Sequence, residues 1–516
     1  MKKLLLFLLL SISGFISAQI QDLATLASGK LVYSTILYNT DDQVYGYIYF
    51  FDQGDIDKEN KQLEYVLLDK NLNKVANNTF TYKNYKHGIN FNFTGCNFIN
   101  QNEIMLRMEY SAKKKPTIYT YRIIKFNDKK ISPEYWYKNE TIEEAPKNYK
   151  EYEKHIHELN NLGFFIPNKE NNGFLVKELF LKDTGSNKFI KFYSTDNEQQ
   201  WVYDYSLYKD SDKYINISLQ ESSLNTLYLF VFRNYNYFIS FYQIIALNSK
   251  NGKKKYDFYL PSNKNHTIKF KEINNHLVIT GNYSPTKESK GILSNPDPGI
   301  FNLEKNEGFY SIVLDEEGNK VKEKYTQWED FKEYIKIEEN GRIDKNYRLK
   351  PADYFVFDDG SISILTEKSK PSKYVSVASL ISTLNIATIS AIEDSQKAED
   401  FILFSMDSDF NIKKVEIIEK DLTKDRSYNY LFSQYKSRGN EAAFFYQTYL
   451  KSEKEWILSI NSINSNGIIK EDKIPMSSKD EKFTILPIPA KEGYILLREY
   501  NEIDEKYNQL RLEKLN

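Results

Sequence analysis

The sequence predicts an all-β fold: a β-propeller of about eight four-stranded blades, with seven as the alternative count and one short helical insertion. Three observations carry this reading. Aromatic residues dominate, with 41 Tyr and 33 Phe against only 20 Gly in 516 residues, and aromatic and β-branched side chains fit a pleated, half-buried surface. Turn-and-strand punctuation recurs along the whole chain. Its spacing is regular, and units of roughly 50 residues with about four short strands each are the signature of a propeller.

Residues 1–18 read as a signal peptide outside the fold. Lys2 and Lys3 form a basic start, Leu4 opens an apolar run, and Ile16-Ser17-Ala18 before Gln19 suits cleavage. The run is short for a bilayer span, and the mature chain is expected to hold no transmembrane segment. No cysteine lies near the cleavage site, so no lipid is expected there. The remainder, 19–516, reads as one propeller domain.

Two marks define each unit. The first, a Gly, Asn or Asp turn before a short apolar strand, stands at Asp42, Asn102, Asn172, Asn225, Asn275, Asp359, Gly439 and Gly493. It is taken as the start of strand b in an a-b-c-d meander. The second, an apolar strand running into an Asp or Asn turn, stands at Asp69, Asn127, Asp196, Asn248, Asp315, Asp407, Asn464 and Asn516, and marks the end of strand c. Six of the eight intervals from first to second mark run from 23 to 27 residues, and the other two are 40 and 48. Strands such as Tyr65-Val66-Leu67-Leu68 and Ile244-Ile245-Ala246-Leu247 are apolar on both faces, as blades covered by two neighbours require. The sequence stops where the eighth strand c ends, so a segment within 19–38 is expected to supply the missing fourth strand.

The long intervals place insertions near 284–307 and 368–398, between b and c of units five and six. Longer gaps between units place two more, near 139–162 and 330–347, between d and the next a. In such a meander the b–c and d–a connections emerge at one end of every blade, so all four are expected to decorate one face, where binding loops usually gather. The first holds Pro146 and a run whose Tyr149, Tyr152, Ile156 and Leu159 fall on one helical face. The sixth-unit insertion runs without a charge from Tyr374 to Ile392, but its Ser, Thr and Asn content makes it a flap over the propeller rather than a span.

Balanced charge, 70 Lys plus Arg against 71 Asp plus Glu, argues against nucleic acid, which demands a concentrated positive patch. The lone Cys96 sits in an alternating strand pattern and reads as a buried structural thiol. Asp407-Ser408-Asp409-Phe410-Asn411 carries oxygens at calcium-loop spacing, as do Asp69, Asn71, Asn73 and Asp315, Glu317, Asn319. The loop fails at Ile412 and Ile418, where Gly and Glu are needed, and Asp and Asn form such turns unaided. His155 and His157 are two apart on the expected helix and point to different sides, while His87, His266 and His276 lack ligand spacing. No nucleophile elbow occurs. Ser294-Asn295-Pro296-Asp297-Pro298-Gly299 misses the sialidase-type box by one residue. No catalytic or metal residue and no cofactor is assigned, and the binding residues stay unassigned.

Stretches such as Phe404-Ser405-Met406-Asp407-Ser408-Asp409-Phe410-Asn411-Ile412 resemble exported β-propeller proteins of unknown function from Gram-negative bacteria. The resemblance implies the architecture and carries no catalytic residue. The reading is thus an exported, non-catalytic, monomeric binding propeller of the periplasm, outer surface or medium, gripping a protein, peptide or glycan through loops on one face. A glycoside hydrolase or lyase with carboxylates at the channel mouth, and a structural envelope protein, are the alternatives.

Overall fold

The computed structural model describes 19–39, 42–83, 89–113, 117–136, 161–168, 173–180, 189–205, 214–236, 239–285, 306–344, 347–370, 397–420, 430–436, 439–450, 452, 454–476, 484–501 and 508–515. Its strands form eight antiparallel sheets, the blades of an eight-bladed β-propeller. In strand order a to d, blade one is Lys30–Tyr38, Val44–Asp55, Asn60–Asp69 and Lys74–Lys83. Blade two is Ile89–Asn100, Glu103–Ala112, Ile118–Lys125 and a broken d, Lys130–Ile131 with Tyr135–Trp136. Blade three is Asn161–Asn168, Gly173–Phe180, Phe189–Ser194 and Gln199–Asp204. Blade four is Tyr214–Ser222, Thr226–Asn236, Ile239–Asn248 and Lys254–Tyr259.

Blade five has a broken strand a, Lys264–His266 with Lys269–Ile273, then His276–Pro285, Gly308–Leu314 and Lys320–Gln327. Blade six is Tyr347–Val356, Ile362–Lys370, Lys397–Met406 and Ile412–Ile418, with a short hairpin strand Arg342–Ile343 on its strand a. Blade seven is Tyr430–Tyr435, Glu441–Leu450, Glu455–Asn464 and Gly467–Pro475. Blade eight takes Thr484–Pro489, Tyr494–Tyr500 and Asn508–Lys514 from the end of the chain. Its outer strand is Gln19–Asp22, paired antiparallel with Asn508–Lys514. The missing fourth strand is therefore supplied from within 19–38.

The chain divides into two compact units. Blades one and eight form the first, and blades two to seven with residues 38–43 form the second. In the first, Val66 and Leu68 of blade one pack with Leu496, Leu510 and Leu512 of blade eight, and Leu23 is 1% exposed among them. In the second, apolar clusters fill the space between consecutive blades from two to seven. Strands between two such clusters have no polar face, which is why Ile244–Leu247 and Phe401–Phe404 read apolar throughout.

The Asp turns close strands c and d by one geometry. Asp407 Oδ1 accepts the N–H groups of Asp409 at 2.9 Å and Asn411 at 2.7 Å, and Oδ2 accepts the Asn411 amide at 2.9 Å. Asp69 and Asp315 repeat the pattern. These carboxylates hold their own backbone, as the turn reading expects. The residue before the last Asn has positive φ: Leu72 (65°), Gly318 (84°) and Phe410 (59°). Leu72 and Phe410 are buried, so core packing holds an L-residue in a conformation it disfavours.

One extra segment departs from the expected decoration of a face. After Gln327 the chain forms a short 3-10 turn, Trp328–Phe331. Trp328, Phe331, Ile335, Ile337 and Ile343 are all buried against Phe309, Phe404 and Phe410. The Tyr334 hydroxyl reaches the Ile412 carbonyl, at the opposite end of blade six. This segment is a wedge along the flank of blades five and six, because its apolar residues find a seam there. The only other helical backbone among the described residues is the 3-10 turn Leu23–Thr25. The signal peptide, the helix near 146–159, the flap near 374–392, and most of the insertions near 139–162 and 284–307 lie outside the described residues.

Candidate functional site

The two ends of the blades spend their polar groups differently. At the c–d end, the turns of blades three to seven are each held by the preceding blade. Lys125 Nζ lies 2.9 Å from Asp196 of the blade-three turn, and the Tyr121 hydroxyl donates to Asn197 of that turn. Trp201 Nε1 donates to the Ser249 carbonyl at 3.1 Å, in the blade-four turn. The Tyr256 ring lies under Gly318, where a Cβ would come within 2.4 Å. Lys322 and Lys324 reach the turn of blade six. Lys413 binds the Ser465 carbonyl and Asn466 of blade seven at 2.9 and 2.8 Å. In the other unit, Lys491 binds Asn71 at 2.6 Å.

Tyr435 plays a similar part at this end of the inner strands. Its hydroxyl accepts Val356 N–H at 3.1 Å, its carbonyl accepts Gln43 Nε2 at 2.9 Å, and Lys271 Nζ lies 4.9 Å over its ring. It thereby ties blades five, six and seven to the turn before Val44. Nearby, Asp353 accepts from Tyr354 N–H at 2.8 Å, from the Tyr430 hydroxyl at 2.7 Å and from the Ser433 hydroxyl. With three donors on one carboxylate, Asp353 is a tie between blades six and seven. A glycosidase needs two carboxylates about 5–9 Å apart and free to act, and Asp353 is committed.

At the b–c and d–a end of blade six an ionic network forms instead around two buried lysines. Lys368 Nζ lies 2.6 Å from Asp344, 3.0 Å from Glu399 and 3.2 Å from Asp400, with its side chain 8% exposed. The Lys420 and Glu367 side chains pair at 0% and 3% exposure. Tyr347 donates to Glu399, and Lys420 Nζ lies 4.2 Å over the Phe401 ring. Burial pulls Lys420 below the usual lysine value, against the pull of Glu367. Burial also acts on Lys368, but Asp344, Glu399 and Asp400 together hold it above that value. Among the described side chains four carboxylates face two ammoniums at the root of the 371–396 connection.

The sequence reading of the histidines and the cysteine meets the structure as follows. His266 is buried, with Nε2 3.0 Å from the Tyr325 hydroxyl and its ring 4.7 Å from that of Tyr310. Burial, then the Lys264 charge, lowers its pKa to about 3. His276 is half-buried, and its Nδ1 lies 3.0 Å from the Asn274 carbonyl oxygen. Cys96 is buried, and burial pushes its thiol well up despite Arg107. His87, His155, His157 and the near-box at Ser294 lie outside the described residues. No group of three or more His, Cys, Asp or Glu among the described residues is arranged to hold a metal. No helix among them is long and apolar enough to cross a membrane. The network itself was not foreseen. Its signal was Glu367-Lys368 and Glu399-Asp400, charged pairs at the ends of apolar strands on either side of the longest insertion.

Fold and site together define an eight-bladed propeller with one end committed to closure and charge gathered at the other. The chain belongs to a family of unknown function (DUF6770), whose model matches residues 1–425 and 421–516. No curated protein matches. Among solved structures it is similar to the WD40 domain of SCAP from fission yeast, at 8% identity and a TM-score of 0.39, covering 96% of this chain and 98% of that one. It is also similar to Saccharomyces cerevisiae Sqt1, at 7% identity and a TM-score of 0.37, over 96% and 98%. A third is the β-propeller domain of the Trilobed protease from Pyrococcus furiosus, at 9% and 0.36, over 86% and 97%.

Proposed function

We propose that this protein is an exported binding propeller that engages a protein, peptide or glycan through the b–c and d–a end of its blades. One observation carries the reading. The turns at the c–d end are consumed by their own backbone and by side chains of the preceding blade, which leaves little there for a ligand. The opposite end holds the long connections and a buried ionic network at the root of one of them. Long connections on a rigid scaffold are where recognition concentrates. The basic, then apolar start of the sequence supports export.

The test is a glycan and peptide binding screen on the mature chain, repeated after deletion of residues 373–395. A ligand whose affinity drops with the deletion supports the reading. A ligand whose binding is untouched by it, but lost on altering the c–d turns, would place recognition at the other end and sink it.

A further inference from the structure

Blade one ends in an outer strand unlike the others. Lys74–Lys83 is 10 residues long and carries no charge between its terminal lysines. Among the described residues it pairs with Asn60–Asp69 on one side and is the last strand of its sheet on the other. Such edges attract further strands, and proteins blunt them by shortness, charge or proline. The other blades follow that rule. The outer strands of blades two, three and eight are broken or run to six residues at most. That of blade four opens on Lys254-Lys255 and holds Asp257. Those of blades five, six and seven each hold three or more charges, and the last ends in Pro475.

The blade-one strand is also well anchored. Phe80 and Tyr82 are buried on one of its faces, with the Phe80 ring 6.3 Å from that of Phe50. On the other face Val75, Asn77 and Thr79 are exposed, Val75 at 53%. The edge is therefore a fixed template. A strand that adds to it gains main-chain hydrogen bonds, and its alternate side chains set specificity. The uncharged middle calls for an uncharged middle, and Lys74 and Lys83 call for an acid at either end. A second copy of this chain fits poorly. Antiparallel pairing of two such strands about their centre sets Lys74 opposite Lys83 twice, and like charges directly opposite are destabilising.

We propose that the outer edge of blade one accepts, by strand addition, an extended segment of a partner protein that is uncharged in its middle and acidic at both ends. This surface is separate from the b–c end and goes beyond the binding reading above. The probe is a labelled peptide, Asp-Val-Thr-Val-Asn-Thr-Val-Thr-Val-Asp, titrated against the full mature chain by fluorescence anisotropy. Its two controls are the same peptide with lysine at both ends and its fully N-methylated form, which lacks main-chain donors. The acid-ended peptide should bind, with an affinity that falls as salt rises, and the controls should not. Thr79→Asp, checked for unchanged thermal unfolding, should weaken that binding at least tenfold. Lys74→Glu combined with Lys83→Glu should reverse the preference between acid-ended and lysine-ended peptides, a change that loss of structure cannot produce. Absence of binding at millimolar peptide overturns the proposal, as does equal binding of the N-methylated form or a preference that the double variant leaves unreversed. A mature chain that dimerises in sedimentation, and is made monomeric by Thr79→Asp, takes a second copy at this edge and also overturns it.

Discussion

The Lys322 ammonium, on the outer strand of blade five, donates to the Ser408 carbonyl at 2.8 Å in the c–d turn of blade six. The two residues are 86 apart in sequence, and the contact recurs in kind between other consecutive blades. The turn that closes each of blades three to seven is thus also the point at which its predecessor holds it.

That arrangement separates two glycines with the same backbone demand. Gly318 (φ 84°) has the Tyr256 ring against it, whereas nothing lies within 4 Å of a Cβ built on Gly493 (φ 74°). Alanine at either position meets about 1–2 kcal/mol of left-handed strain. Only Gly318→Ala also displaces a ring of the neighbouring blade. Urea unfolding should show Gly318→Ala as the more damaging by at least about 1 kcal/mol, and equal effects would count against the inter-blade contact.

Phe410 combines a positive φ with 1% exposure. Phe410→Ala loses the packing, about 3–5 kcal/mol, and keeps the strain. Phe410→Gly loses the same packing but relieves the strain. Glycine should therefore be the milder substitution by about 1 kcal/mol, measured as a shift in denaturant midpoint.

Lys420 and Glu367 form a buried pair. Lys420→Met strands the Glu367 carboxylate and should cost about 3–5 kcal/mol, while adding Glu367→Leu should restore most of it. A double variant no more stable than the single one would show that the pair is not the unit of stability at this site.

His266 titrates at about 3 in the folded chain against 6.5 when unperturbed. Between these values the unfolded state binds a proton that the folded state refuses, so stability falls as pH drops from about 6.5 towards 3, by up to about 1.4 kcal/mol per pH unit. His266→Gln should flatten this acid limb by about one proton in a pH series of unfolding free energies. An unchanged slope would mean that the imidazole is reached by solvent.

Gln19–Asp22 covers the edge of Asn508–Lys514. A chain beginning at Ser28 would bare that edge and also lose Leu23 from the core. It should unfold at lower temperature and aggregate through the open strand, with the C-terminal strand becoming the first site of limited proteolysis.

The repeat was legible because its chemistry is local. An Asp whose carboxylate bonds to N–H groups two and four residues ahead announces a turn from within the turn, as at Asp69, Asp315 and Asp407. The need for a fourth strand in blade eight was likewise visible in the count of strands. The wedge at 328–343 was not. Its length marked an insertion, but only the seam offered by Phe309, Phe404 and Phe410 explains why it lies along a flank. The site was legible only in part. Glu367-Lys368 stands out in an apolar strand, yet nothing near it in sequence points to Lys420, 53 residues away.

The sequence by itself determined the all-β class, a propeller of about eight repeats and which end of each blade carries tight turns, since alternation and turn chemistry act over a few residues. Tertiary structure alone decided how polar groups were spent. Pairing depends on which side chains the folded strands bring opposite each other, so the turns held by a neighbouring blade at one end and the Lys368 and Lys420 network at the other emerge only once the strands are assembled.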